Sequence, residues 1–129
     1  MLKKTITYTD YNGNERTEDF YFNLNKAELT EMEAGVEGGY GEMLQRIVDS
    51  NDNKQIVETF KSIILKAYGE KTLDGKRFIK SKELSEAFSQ TEAFVELFME
   101  LATNEKAAAD FVNGIIPKNV VSNTVPLTK

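Results

Sequence analysis

The chain has 129 residues, 21 acidic and 16 basic, for a formal net charge of −5, and it contains neither cysteine nor histidine. That length fits one domain able to bury roughly two-thirds of the surface its unfolded chain exposes. The missing residue types exclude disulfide staples, thiol or imidazole catalysis, and any zinc site other than an all-carboxylate one.

The acidic balance argues against a nucleic-acid partner, because that affinity comes largely from Lys and Arg. No stretch approaches the ~20 apolar residues of a membrane span. Lys3, Lys4, Asp10 and Glu15 interrupt any signal-peptide core, and the lack of cysteine fits a reducing cytoplasm, so the expected location is the cytoplasm.

Residues 3 to 9 alternate and are rich in β-branched residues, with Lys4, Ile6 and Tyr8 on one face and Thr5, Thr7 and Thr9 on the other. Asn12-Gly13 is the strongest short-range hairpin signal and predicts a type I′ turn. Residues 15 to 22 return as a second strand, polar at its start and aromatic at its end, so the base should be buried and the tip solvated. A lone hairpin is marginal in water, which requires Ile6, Tyr8, Phe20 and Phe22 to pack on something else.

Asn25-Lys26-Ala27-Glu28 reads as a capped helix start, and the helix ends near Gly35. Gly38-Gly39-Tyr40-Gly41 reads as a joint before a helix from about Glu42 to Asp49, striped with Met43, Leu44, Ile47 and Val48. Asn51, Asp52 and Asn53 break that helix and cap the next. There Ile56, Phe60, Ile63, Ile64, Ala67 and Tyr68 keep the 3.6-residue period until Gly69 stops it. Residues 70 to 80 form a connector with a turn at Asp74-Gly75 and a possible second small hairpin at Phe78 and Ile79.

Ser81 caps a short helix holding Leu84, Ala87 and Phe88, and Ser89-Gln90-Thr91-Glu92 is a capping box for a helix from about Thr91 to Ala102. Asn104 caps a last helix, Glu105 to Asn113, which Gly114 and Pro117 end. The expected fold class is therefore α+β, mainly α: an N-terminal β-hairpin (residues 1–24) and a bundle of about five to six short helices (25–117) in one domain, followed by a flexible tail at 118–129.

Motifs of chemistry are weak. Glu28, Glu31 and Glu33 read as a solvated helix face. Gly69-Glu70-Lys71-Thr72 imitates the end of a phosphate loop but lacks its upstream glycine, and Gly35, Gly38, Gly39 and Gly41 lack dinucleotide-fingerprint spacing. Asp49, Asn51 and Asn53 match the first ligand positions of a calcium loop, but Lys54 replaces its glycine and Phe60 its closing glutamate. Lys76, Arg77, Lys80 and Lys82 form the one basic cluster, read as a solvated turn and helix start or as a patch for an acidic partner.

No catalytic, cofactor-binding or metal residues are expected. Apolar surface remains. Phe94, Leu97, Phe98 and Leu101 share one face of their helix, and Val95 and Met99 the neighbouring one. The plain reading makes all six core. The functional reading leaves Val95 and Met99, with Phe88, as an exposed groove or ridge for a partner helix. Phe78 and Ile79 join these as candidate partner-binding residues, and the hairpin tip, Asp10 to Glu15, is a second candidate contact.

Several segments resemble the small tail assembly chaperones of long-tailed bacteriophages and prophages. They are Phe20-Tyr21-Phe22-Asn23-Leu24-Asn25-Lys26-Ala27-Glu28-Leu29, Ala67-Tyr68-Gly69-Glu70-Lys71, Asp74-Gly75-Lys76-Arg77-Phe78, Phe88-Ser89-Gln90-Thr91-Glu92-Ala93 and Phe111-Val112-Asn113-Gly114-Ile115-Ile116-Pro117. The resemblance covers most of residues 1 to 117 and rests on fold-bearing segments rather than catalytic motifs.

It implies a non-catalytic protein, without cofactor, in the cytoplasm of the bacterial host. Such a protein would bind the apolar, helical tape measure protein, keep it soluble and help tail tube subunits assemble around it. Many members are also made in a longer form by ribosomal frameshifting, and Pro117-Lys118-Asn119 is compatible with a slippery adenine run. The alternative is a structural virion protein, a minor tail or head–tail joining component, with the hairpin as docking arm.

Overall fold

The fold is described from a computed structural model, over residues 1–34 and 53–117. It is α+β and mainly α, beginning with the expected strand pair. β1 (Leu2–Thr9) pairs antiparallel with β2 (Glu15–Phe22), in a register that sets Leu2 opposite Phe22 and Thr9 opposite Glu15. α1 spans Lys26–Ala34 and α2 Asn53–Ala67; β3 (Tyr68–Lys71) and β4 (Phe78–Ile79) follow, then α3 (Lys82–Ser89), α4 (Glu92–Thr103) and α5 (Glu105–Ile115). The expected joint at Gly38–Gly41, the helix from Glu42 to Asp49, the caps at Asn51 and Asp52, and the tail at 118–129 lie outside the described residues.

The hairpin does not stand alone. β3 pairs antiparallel with β2 through Tyr21–Gly69 and Phe22–Tyr68, and β4 pairs with β3, giving a four-stranded sheet in the order β1-β2-β3-β4. The second small hairpin is thus real, and it is welded to the first. α4 and α5 pack on β1, and α3 on β3, so the helices lie against one face of a sheet instead of bundling only with each other. Alternation along β1 follows from this: Ile6 is buried and Leu2, Lys4 and Tyr8 half-buried, while Lys3, Thr5, Thr7 and Thr9 are exposed. The exposed threonines bond across the strands, Thr5 to Asp19 at 2.6 Å and Thr7 to Thr17 at 2.9 Å.

The first turn differs from the expected two-residue type I′. The Gly13 amide donates to the Asp10 carbonyl around Tyr11 and Asn12, Gly13 has φ +83°, and the Asp10 amide donates to the Asn14 carbonyl. This is a three-residue loop with glycine in the left-handed bulge position. The Asp10 carboxylate accepts from the Asn12 and Asn14 amides and from Arg16, and these bonds, Arg16 first, hold its carboxyl below the usual range. The second turn is built similarly. The Gly75 amide donates to the Thr72 carbonyl, Gly75 has φ +75°, and Asp74 accepts from the Thr72 hydroxyl and the Lys76 amide.

The base of β2 is the centre of the core. Phe22 is fully buried, edge-on to Phe111 at 5.3 Å and to Phe88 at 5.8 Å. Just beyond it the Asn23 amide donates to the Ala67 carbonyl at 2.8 Å, and the Leu24 amide to the Ile115 carbonyl at 2.8 Å. These bonds satisfy C-terminal carbonyls of α2 and α5 that no intrahelical donor can reach. Asn25 then accepts from the Glu28 amide at 2.8 Å while Glu28 accepts from the Asn25 amide at 2.9 Å, the reciprocal box the sequence implied for α1.

Of the other caps, one shifts by two residues. Ser81 and Asn104 cap α3 and α5 as expected. The cap of α4 is Thr91, which accepts from the Phe94 amide, whereas Ser89 ends α3 and donates to the Glu86 carbonyl.

Two glycines expected to stop helices do other work. Tyr68 and Gly69 are strand residues, since α2 ends at Ala67 on its bond from Asn23. A Cβ at Gly69 would lie 2.6 Å from Phe78 Cε2 and 2.7 Å from the Ile79 carbonyl oxygen, so only glycine lets β4 come this close. Gly114 lies inside α5, where a Cβ would meet Leu2 Cδ1 at 3.0 Å. Gly69→Ala should therefore cost roughly 1–3 kcal/mol, read as a lower denaturant midpoint at unchanged slope. Adding Phe78→Ala should restore only part of the loss, because the Ile79 carbonyl remains in the way; wild-type stability in Gly69→Ala would contradict the close approach.

Candidate partner-binding surface

α4, capped by Thr91, carries a wide apolar arc. Ala93, Phe94, Leu97 and Leu101 are buried, and Phe98 is half-buried with its ring stacked on Phe94 at 5.8 Å. On the β1 side, Lys4 Nζ meets Glu100 Oε1 at 3.1 Å. These contacts use two sides of the helix. The third side leaves Val95 41% and Met99 50% exposed, one turn apart on the same row. Singly exposed apolar residues are ordinary, but two adjacent large ones on a helix otherwise seated in the core form a ridge.

Phe88 does not belong to that ridge, which corrects the expectation that grouped it with Val95 and Met99. It is 3% exposed. Its ring stacks on Tyr68 at 4.2 Å and 7°, meets Phe94 edge-on at 5.7 Å, and contacts Phe20 at 5.4 Å. Helical period placed Phe88 on an apolar face, but only the arrival of β3 and its Tyr68 decides that this face is closed. Burial also pushes the Tyr68 phenol up, helped by Glu70 and Glu18.

Phe78 and Ile79 are both half-buried and, as neighbours in a strand, point to opposite faces of the sheet. Phe78 covers Gly69 on the face away from the helices, where Lys71 Nζ lies 5.7 Å over the Tyr21 ring. Neither residue adjoins the α4 ridge in sequence or in pairing, so the five expected binding residues divide into a core ring, an exposed helical pair and a strand dipeptide.

The basic cluster disperses. Lys80 Nζ donates to the Asn23 carbonyl at 2.6 Å and to Glu28 Oε2 at 2.7 Å, an ion pair binding β4's exit to the start of α1. Lys82 only approaches Glu86 at 3.8 Å, and both are exposed. A depression of about 280 Å³ beside Lys80 is lined by Asn23, Asn25, Glu28 and Phe78, and one of about 400 Å³ opens where β2 and β3 part near Glu18 and Lys71. Among the described residues no group of His, Cys, Asp or Glu could hold a metal ion, and no helix is long and apolar enough to cross a membrane. The phosphate-loop imitation at Gly69–Thr72 is a strand leading into a turn.

Sequence reasoning missed Leu73. It is fully exposed at the second tip, as Tyr11 is at the first, at 75%. Because β2 descends to Phe22 while β3 rises from Tyr68, both tips point to the same end of the sheet. The signal was available: in each tip the residue before the Asn-Gly or Asp-Gly pair is large and apolar, in a position that turn geometry turns outward.

The described residues form an α+β fold that leaves an apolar pair exposed on one helix. A family model described as phage tail assembly chaperone matches residues 1–126, and the chain belongs to that family. Neither a curated protein nor a solved structure matches it.

The split between core and ridge is measurable by stability. Phe88→Ala should cost about 3–5 kcal/mol by chemical denaturation, whereas Val95→Ser with Met99→Ser should change stability by no more than about 1 kcal/mol in total. Equal losses in the two variants would place the pair in the core.

Proposed function

We propose that this chain is a non-catalytic tail assembly chaperone that binds the tape measure protein in the cytoplasm of the bacterial host, keeps it soluble and assists assembly of tail tube subunits around it. Membership of the phage tail assembly chaperone family over residues 1–126 carries the reading. The exposed Val95 and Met99 support it, because a client helix that hides its apolar stripe against such a ridge no longer offers that stripe to another client. The net charge of −5 supports it as well, since like-charged complexes repel one another and resist aggregation.

Co-expression with the tape measure protein of the same phage tests the proposal. The client should move to the soluble fraction and be recovered with the chaperone, and Val95→Ser with Met99→Ser should reduce that recovery several-fold. Unchanged client solubility with no complex recovered would refute it.

A further inference from the structure

The surroundings of the α4 ridge carry information about what sits on it. α4, Glu92–Thr103, contains Glu92, Glu96 and Glu100 and no basic residue. Glu100 is taken by Lys4. Glu92 stands three residues before Val95 and Glu96 three residues before Met99, so each exposed apolar side chain has a carboxylate as its neighbour on the helix surface. Neither Glu92 nor Glu96 has a cation partner among the described residues. An apolar row bordered by an unpaired acidic row matches a helix whose own apolar stripe is bordered by Lys or Arg.

The same pattern disfavours a second copy of this chain as the occupant. Packing α4 on α4 would bring two acidic rows together with no cation on either helix, and like charges brought together oppose association.

We propose that the α4 ridge docks an amphipathic client helix with a basic border, Val95 and Met99 meeting its apolar stripe while Glu92 and Glu96 pair with its Lys or Arg residues. This rests on the reading of the chain as a chaperone for a helical client, and it specifies that client's chemistry. Glu96 is exposed and Glu92 half-buried, so the carboxylates select partners and speed encounter more than they add affinity, and salt weakens their effect.

Two synthetic leucine-striped helical peptides, about five turns long, test it against the full chain. One has lysine bordering the stripe and the other glutamate, and binding is followed by fluorescence anisotropy at low and high salt. The lysine peptide should bind about tenfold or more tighter at low salt, with the gap narrowing as salt rises. Glu92→Gln with Glu96→Gln should weaken the lysine peptide about fivefold and leave the glutamate peptide no weaker. Glu83→Gln with Glu86→Gln on α3, which removes the same charge elsewhere, should leave the lysine peptide within about twofold of the unaltered chain.

Equal binding of the two peptides, binding of neither, or equal losses in the two glutamine pairs would overturn the basic-border inference. The chaperone reading is judged separately, by whether the unaltered chain solubilises the tape measure protein and is recovered with it, and its placement on the ridge by whether Val95→Ser with Met99→Ser lowers that recovery. A loss there, combined with equal peptide binding, would sink the inference and leave the reading standing.

Discussion

Two backbone amides tie the sheet of this fold to two of its helices. Those of Asn23 and Leu24, at the exit from β2, close the C-termini of α2 and α5 through the carbonyls of Ala67 and Ile115. Buried C-terminal carbonyls left without donors would be costly, so where β2 ends decides where these two helices end. Phe22 and Leu24, either side of Asn23, are both buried, so the segment is anchored by side chains while its backbone does the capping. Lys80 reaches in from beyond β4 to take the Asn23 carbonyl and Glu28, which ties the second hairpin and α1 to the same point. A junction of four residues, Phe22 to Asn25, thereby sets the relation between the sheet and three helices.

Much of this was legible locally, and what was not has a physical cause. The amphipathic period of α2, the caps at Asn25, Ser81 and Asn104, and the strand pair could all be read because each depends on neighbours a few residues away. Asn12-Gly13 marked its turn correctly but not the turn type, since the dipeptide also suits a longer loop that needs only the glycine left-handed. Gly69 and Gly114 were misread for a different reason. A glycine after an apolar period looks like a helix stop, whereas here each admits a distant partner, Phe78 and Ile79 in one case and Leu2 in the other. Such closeness is a property of tertiary approach and leaves no mark within a short window.

The candidate surface shows the same division. Val95 and Met99 were singled out from helical spacing, and their exposure agrees with it. Phe88 satisfied an identical pattern yet is enclosed by Tyr68, Phe20, Phe22 and Phe94. Spacing says which residues share a face; only the sheet, extended by β3, says which face is covered. The ridge is what remains of α4 after β1 and the aromatic core have taken their sides, and its acidic border lets an apolar pair stay in water.

The most direct measurement is a nuclear magnetic resonance titration of the methyl- and amide-labelled chain with a soluble helical fragment of the tape measure protein. Shifts should concentrate on the methyls of Val95 and Met99 and the amides around Glu92 and Glu96, with the buried methyls of Ile63 and Leu97 little changed. Shifts confined to the tips at Tyr11 and Leu73, with α4 silent, would contradict the assignment of client binding to this helix.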